Sequence, residues 1–219
     1  TDIALVSLRP AHRGQTGMIQ LYDFELSGNC HKIRMMLSFL DLDHSRTDID
    51  LRKKAHMDPN FIALNRLHKV PVLIDGDLIL RDSSAILVYL ARRYGRIEWY
   101  PDAPHEMAEV QQWLSFAVNE IFNGLAMVRA IRIFNRDFDP KTASTFCDAA
   151  LDMLEFRLNS HDWLALDRFT LADLACYPYA ALVHEGNVSL DPYPAMREWF
   201  KRIESMPGYV SMPGLPYPY

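Results

Sequence analysis

The 219-residue sequence predicts two unlike parts, a small α/β domain followed by an all-helical one. Three observations carry this. Short apolar runs at 19–24, 70–74 and 78–80 have strand length and are bounded by turn residues. After the first run, Ile33, Met36, Leu37 and Leu40 fall at i, i+3, i+4 and i+7, the spacing of one buried helical stripe. Beyond residues 95–104 no strand signal of similar strength recurs, and long helical patterns fill the chain.

Residues 1–17 are expected to be an upstream extension or a vector-derived remnant, because Met18 opens a strand without preamble. The first strand covers about 19–24 and the first helix about 30–40. A second strand is expected over 45–51, with Thr47, Ile49 and Leu51 alternating. Residues 52–58 read as a polar loop, and Pro59 opens a short helix through Leu64, a favoured place for proline. The third strand holds Pro71, which cannot donate to a ladder and belongs at an edge, a strand start or a bulge. Asp75, Gly76 and Asp77 then turn the chain into 78–80 as an antiparallel hairpin. Asp82 and Ser83 start a helix that carries Ile86, Tyr89, Leu90 and Arg93 at helical spacing.

This βαβ then ββα order is thioredoxin-like, and the domain is expected to span 18–97. Pro101 and Pro104 interrupt helical pattern, so 98–104 is the expected linker and 105–219 the all-helical domain. Within it, one pattern runs over 105–135 through Val110, Leu114, Ala117, Ile121, Leu125, Val128 and Ile131, and another over 140–159. At 169–174, Thr170 caps a helix and Asp173 reaches back to it, while Phe169 and Leu174 occupy the two staple positions. A last helix is expected over 192–206, followed by a proline-rich, irregular surface tail.

Composition narrows the function classes. A net charge of −5, with no basic run interleaved with aromatics, argues against nucleic acid as a partner. No run reaches the ~18–20 consecutive apolar residues of a membrane span, so no membrane partner is expected. Cys30, Cys147 and Cys176 are too few and too scattered for a disulfide framework or a metal site, so no metal is expected. Free thiols fit a reducing compartment, and a cytoplasmic location is the expectation. Cys147 and Cys176 lie in helical patterns and read as buried packing.

The chemistry concentrates at the first strand-to-helix turn, Leu26-Ser27-Gly28-Asn29-Cys30. Free N–H groups and the helix dipole make such a turn a ready anion site, and a thiolate held there has its pKa lowered. Ser27-x-x-Cys30 can be set beside the C-x-x-C redox motif, with serine in the nucleophile position. The turn thus has a seat for a thiolate but supplies none itself; glutathione is the obvious source. Taken alone, Ser27 reads more readily as an ordinary N-cap.

Four motifs occur in order: 27–34 (Ser-Gly-Asn-Cys-His-Lys-Ile-Arg), 69–73 (Lys-Val-Pro-Val-Leu), 82–86 (Asp-Ser-Ser-Ala-Ile) and 169–173 (Phe-Thr-Leu-Ala-Asp). With them the chain resembles a cytosolic glutathione transferase over about 18–212. The resemblance implies glutathione as co-substrate in the first domain, a small hydrophobic electrophile in the second, a detoxification role and a homodimer. Ser27 matches the serine of the serine-type classes, which donates to the glutathione sulfur. Val70, before a cis Pro71, matches the residue whose backbone pairs with the cysteinyl part. Asp82 and Ser83 match the pair that grips the γ-glutamyl end, an acid for the ammonium and a hydroxyl for the carboxylate. His56 and His68 resemble the histidines that reach the glycine carboxylate, with Lys69 as a rival. Phe116, Asn119, Phe122 and Asn123 fall where the family lines its electrophile pocket.

Some residues depart from the family pattern. Asp82 is a methylene shorter than the usual glutamate, Arg66 replaces a common proline, and Leu166 stands where a glycine is frequent. Asn29 resembles nu-type members, which pairs it with Ser27 as a second donor and opens a disulfide-bond reductase or peroxidase reading beside conjugation. A non-catalytic glutathione-binding or partner-binding module is the third reading. Arg129, Arg132 and Arg136 form a stripe that reads first as a solvated face and second as a site for an anionic substrate.

Overall fold

The computed structural model describes residues 18–218; the expectation for residues 1–17 lies outside them. Four strands, β1 (Ile19–Asp23), β2 (His44–Asp48), β3 (Val72–Asp75) and β4 (Leu78–Arg81), form one sheet in the order β2-β1-β3-β4. β1 and β2 are parallel, joined through helix α1 (Gly28–Phe39), while β3 runs antiparallel to both β1 and β4. Helices α2 (Pro59–Leu64) and α3 (Ser83–Tyr94) complete this part. The expected α/β then all-α architecture therefore stands.

Local chemistry explains where elements begin and end. α1 starts at Gly28 rather than Cys30, because Ser27 already caps it by accepting the Cys30 N–H at 3.3 Å. β2 stops at Asp48, short of the expected Leu51. Asp50 instead takes the Arg52 N–H at 2.9 Å and opens a 3₁₀ turn, Leu51–Lys53, with a second at Ala55–Met57. The expected polar loop is thus two tight turns. β3 starts at Val72, after a cis Val70–Pro71 bond. Asn65, buried, ties the preceding loop by donating to the Lys69 carbonyl at 2.7 Å and accepting the Leu67 N–H at 3.0 Å.

The second part has helices and no strand among the described residues. One 31-residue helix, Pro104–Phe134, consists of α4 (Pro104–Phe116), a π-helical stretch (Ala117–Ala126) and α5 (Met127–Phe134). It is long and apolar enough to cross a membrane, yet Val110, Trp113, Leu114, Ala117, Ile121 and Leu125 are buried in the core. α6 (Pro140–Leu158), α7 (Leu171–Ala181) and α8 (Pro194–Glu204) follow. α8 starts two residues later than expected, since Tyr193 precedes a proline and is kept out of the α region at φ −121° and ψ 66°.

Every residue of α7 is buried, and the helix packs against α1, α3 and α4. Its predicted start is present: the Thr170 side chain accepts the Ala172 N–H at 3.2 Å and Asp173 accepts the Thr170 N–H at 2.9 Å. Leu166 and Asp167 both take positive φ (58° and 47°) in the turn where the sequence lacks the frequent glycine. The proline-rich end is irregular but not simply surface. Met212 and Leu215 are buried, and the Val210 carbonyl lies 2.6 Å from His31 Nε2 on α1.

Candidate functional site

The fold brings two helix starts to one cleft. The Ser83 hydroxyl at the head of α3 donates to Asn29 Oδ1 at the head of α1, at 3.4 Å. Both helices present N-terminal N–H groups there, so the cleft favours negative charge. Its volume is about 200 Å³, and its walls include Asn29, Lys69, Val70, Pro71, Arg81, Asp82, Ser83 and Phe122. Two cationic side chains and one acid thus face a space fed by two helix dipoles.

Each wall residue is held for a local reason. Val70 lies outside the strand ladder, whose register begins at Val72, so its peptide groups are not used by the sheet. Asp82 sits at φ 76°, a backbone conformation side chains rarely adopt, which typically costs about 1–3 kcal/mol. Oδ1 offsets part of that cost by accepting the Ser84 and Ala85 N–H groups at 3.0 and 3.1 Å, capping α3. Ser83, the next residue, is buried. Lys69 Nζ lies 5.9 Å from the Phe122 ring centroid, linking the loop to the helical part.

Of the other residues the sequence singled out, Ser27 is half-buried, two positions before Asn29, and is not among the residues that line the cleft. His68, at φ 55°, places Nδ1 at 3.3 Å from Met57 Sδ, and His56 sits in the second 3₁₀ turn; neither lines the cleft. Phe116 stacks edge-on against Trp113 with ring centroids 5.3 Å apart, and Asn123 donates to Asn119 at 3.1 Å. These three lie off the cleft wall, whereas Phe122 is on it together with Ala117 and Val118. A larger hollow of about 490 Å³, lined by Tyr22, Ile49, Phe61 and Leu64 among others, contains none of the candidate residues. The helix starts and the charged groups converge at the smaller cleft.

Cys30 is not a rival nucleophile. It is fully buried, its sulfur accepts the Phe24 N–H at 3.4 Å, and burial drives its pKa far above that of a free thiol.

Sequence reasoning missed residues that reach the turn from far along the chain. Arg129, only 2% exposed, donates from Nη1 to the Leu26 carbonyl at 2.9 Å and pairs through Nε with Glu185 at 2.5 Å. It therefore clamps the residue before Ser27, whereas Arg132 and Arg136 are exposed as the solvated-face reading expects. Tyr179, on α7, lays its ring against Gly28: a Cβ on that glycine would come within 2.8 Å of Tyr179 Cε1 and Cζ. Lys32, one turn into α1, is buried beside the same ring, and burial lowers its pKa to about 8.

Comparison with known proteins places the fold in a family. Residues 21–98 match the family model for the glutathione S-transferase N-terminal domain, and 118–207 the model for the C-terminal domain. The disulfide-bond oxidoreductase YfcG of Escherichia coli (strain K12) is 30% identical over 206 residues, covering 87% of this chain and 92% of that protein. A glutathione S-transferase structure from Pseudomonas fluorescens Pf-5 superposes with a TM-score of 0.82 at 28% identity, covering 91% of this chain and 100% of the other. A glutathione transferase homologue from Drosophila mojavensis, with glutathione bound, gives 0.79 at 26% identity, covering 88% and 90%. The chain belongs to the cytosolic glutathione transferase family.

Proposed function

We propose that this protein binds glutathione between the starts of α1 and α3 and uses its thiolate to attack a small hydrophobic electrophile. The observation that carries the reading is the Asn29–Ser83 contact, which joins two helix N-termini at one cleft. Glutathione has two carboxylates and one ammonium, and the walls offer complementary groups. The γ-glutamyl carboxylate meets Ser83 and the α3 N-terminus, while Asp82 Oδ2, not engaged in the cap, takes the ammonium. Val70 pairs its free peptide groups with the cysteinyl part. Lys69 takes the glycine carboxylate, with His68 and His56 as its alternatives.

The sulfur then lies over the start of α1, where the Ser27 hydroxyl and Asn29 stabilise negative charge. Its electron pair forms the new bond to an electrophilic carbon while the leaving group departs with the electrons of the broken bond. Lowering the thiol pKa raises the attacking fraction at neutral pH more than it weakens the nucleophile. The electrophile approaches along the wall holding Phe122. Homodimer assembly, a cytoplasmic location and a detoxification role are part of this reading.

A second reading is glutathione-dependent disulfide reduction. It is favoured by Asn29 at the site and by the disulfide-bond oxidoreductase among the relatives. There the thiolate attacks one sulfur of a disulfide, releases the other as a thiolate, and a second glutathione resolves the mixed disulfide to oxidised glutathione. Peroxide reduction is a variant of the same chemistry. Turnover of a halo-nitroarene and of hydroxyethyl disulfide, measured in wild type, Ser27→Ala and Asn29→Ala, separates the readings. Conjugation predicts that Ser27→Ala lowers halo-nitroarene turnover by about 10²–10³. Loss confined to disulfide turnover in Asn29→Ala selects the reductase. Glutathione binding without turnover of any electrophile, peroxide or disulfide leaves the non-catalytic module.

A further inference from the structure

The peptide unit that leads into Ser27 is held at both ends. Its N–H, that of Ser27, donates to the Phe24 carbonyl at 2.9 Å. Its carbonyl, that of Leu26, accepts Arg129 Nη1 at 2.9 Å, from a helix 103 positions further along the chain. The neighbouring Glu25 carbonyl accepts Arg34 Nη2 at 3.0 Å. All three carbonyls of the turn 24–26 thus meet protein donors, one local, one from α1 and one from α5. Beyond the turn, the Ser27 carbonyl accepts the His31 N–H at 2.9 Å and its Oγ the Cys30 N–H at 3.3 Å.

Arg129 is itself built into place. It is buried, its Nε donates to Glu185 Oε2 at 2.5 Å, and its guanidinium carbon lies 5.6 Å from the Phe134 ring centroid. The Phe134 ring, on the same helix, lies 6.3 Å from that of Phe24, so α5 supports the turn at both ends. A planar guanidinium serves two acceptors at once from fixed directions, which a lysine ammonium on its flexible stem does not reproduce. Glu185 offsets the Arg129 charge, so what reaches the turn is a directed hydrogen bond rather than a net charge.

We propose that Arg129 is a positioning residue for the reacting sulfur: by holding the Leu26 carbonyl it fixes the peptide plane from which Ser27 projects, and so the direction in which the serine hydroxyl meets the glutathione thiolate. Rotation of that plane would carry the Ser27 side chain with it, and a misplacement of about 1 Å costs up to ~10²-fold in rate. Arg129 is not on the cleft wall, so it acts through the turn rather than on the tripeptide. The inference rests on the glutathione reading above and deepens it.

The test is an ultraviolet titration of the glutathione thiolate in wild type, Arg129→Met, Ser27→Ala and the double variant, with kcat and KM for a halo-nitroarene reaction measured for each. Arg129→Met keeps an unbranched stem and removes the donor. It is expected to lower the thiolate fraction, at a pH below the bound thiol's pKa, about three- to tenfold. A matching fall in kcat is expected, with KM for glutathione little changed. A purely structural role would reduce the amount of folded enzyme and leave the bound thiol's titration where it was. In the Ser27→Ala background the same substitution is expected to have no further effect on the thiolate, because Arg129 acts through Ser27. An unchanged thiolate fraction in Arg129→Met overturns the proposal, as does an equal loss in both backgrounds. Should Arg129→Met fail to fold, Arg129→Lys keeps a cation against Glu185 and loses the fork that reaches Leu26. It is expected to lower the thiolate fraction, and a wild-type fraction overturns the proposal. A wild type that gives no thiolate band with glutathione overturns the glutathione reading itself, a different result from a band that persists in the variant.

Discussion

Helices α7 and α1 both begin on a hydroxyl side chain, and the two starts are built to opposite ends. At α7 one acid gathers three donors. Asp173 accepts the N–H groups of Thr170 and Leu164 and the Trp199 indole N–H, at 2.9, 3.0 and 3.0 Å, and both Thr170 and Asp173 are fully buried. At α1 no acid stands in the first turn, and Ser27, half-buried, accepts a single backbone N–H, that of Cys30 at 3.3 Å. A helix start whose acid binds donors from three segments of the chain holds a core together. One with no such acid, whose first turn lines a cleft, is available for a ligand.

Substitution at each start measures that difference. The largest effect is expected from Asp173→Ala, which strands three buried N–H donors and should cost about 4 kcal/mol in a chemical denaturation series. Ser27→Ala is expected to reverse the pattern, with a stability loss of about 1 kcal/mol or less. Its effect on conjugation, a loss of about 10²–10³ in turnover, corresponds to roughly 3–4 kcal/mol in the transition state. Equal stability losses at the two sites, with turnover preserved in Ser27→Ala, would break the comparison.

A third effect comes from the buried back of α1, where burial lowers the His31 pKa to about 3. The unfolded chain, with a histidine pKa near ~6.5, binds this proton first. Stability from His31 is therefore complete above about pH 6.5 and drains away as pH falls toward 3, with a limiting slope of about 1.4 kcal/mol per pH unit. Asp173 works in the opposite sense, because burial raises its pKa to about 6 and protonation favours the folded state as pH falls from there toward 3.8. The difference between wild type and His31→Gln across pH 7 to 5 isolates the histidine, and the variant is expected to show the shallower acid loss. The smallest effect is Thr170→Ala, about 1 kcal/mol of stability with kcat unchanged.

How much of this was legible in the sequence follows from how far apart the partners lie. Thr170 and Asp173 are three residues apart, and the hairpin turn at Gly76 is local too, so each could be read from a short window. Arg129 looked like part of a solvated stripe because its partners, Leu26 and Glu185, lie 103 and 56 positions away. Tyr179 carries no local signal either: nothing in 171–181 marks a ring that packs against Gly28, some 150 positions earlier. The tail resisted reading because composition marks it as irregular but is silent on its burial; the contact between His31 and Val210 spans 179 positions. For the cleft, the motifs named Asn29, Lys69, Val70, Pro71, Asp82, Ser83 and Phe122. They left out Arg81, a second cation on the wall, which carries no local signal beyond ending a strand.

The most direct test of the open helix start is a crystal structure with glutathione bound. The account predicts the glutathione sulfur within hydrogen-bonding reach of Ser27 Oγ, about 3.5 Å or less. A tripeptide seated in the cleft with its sulfur more than about 6 Å from that oxygen, beyond any direct hydrogen bond, would contradict it.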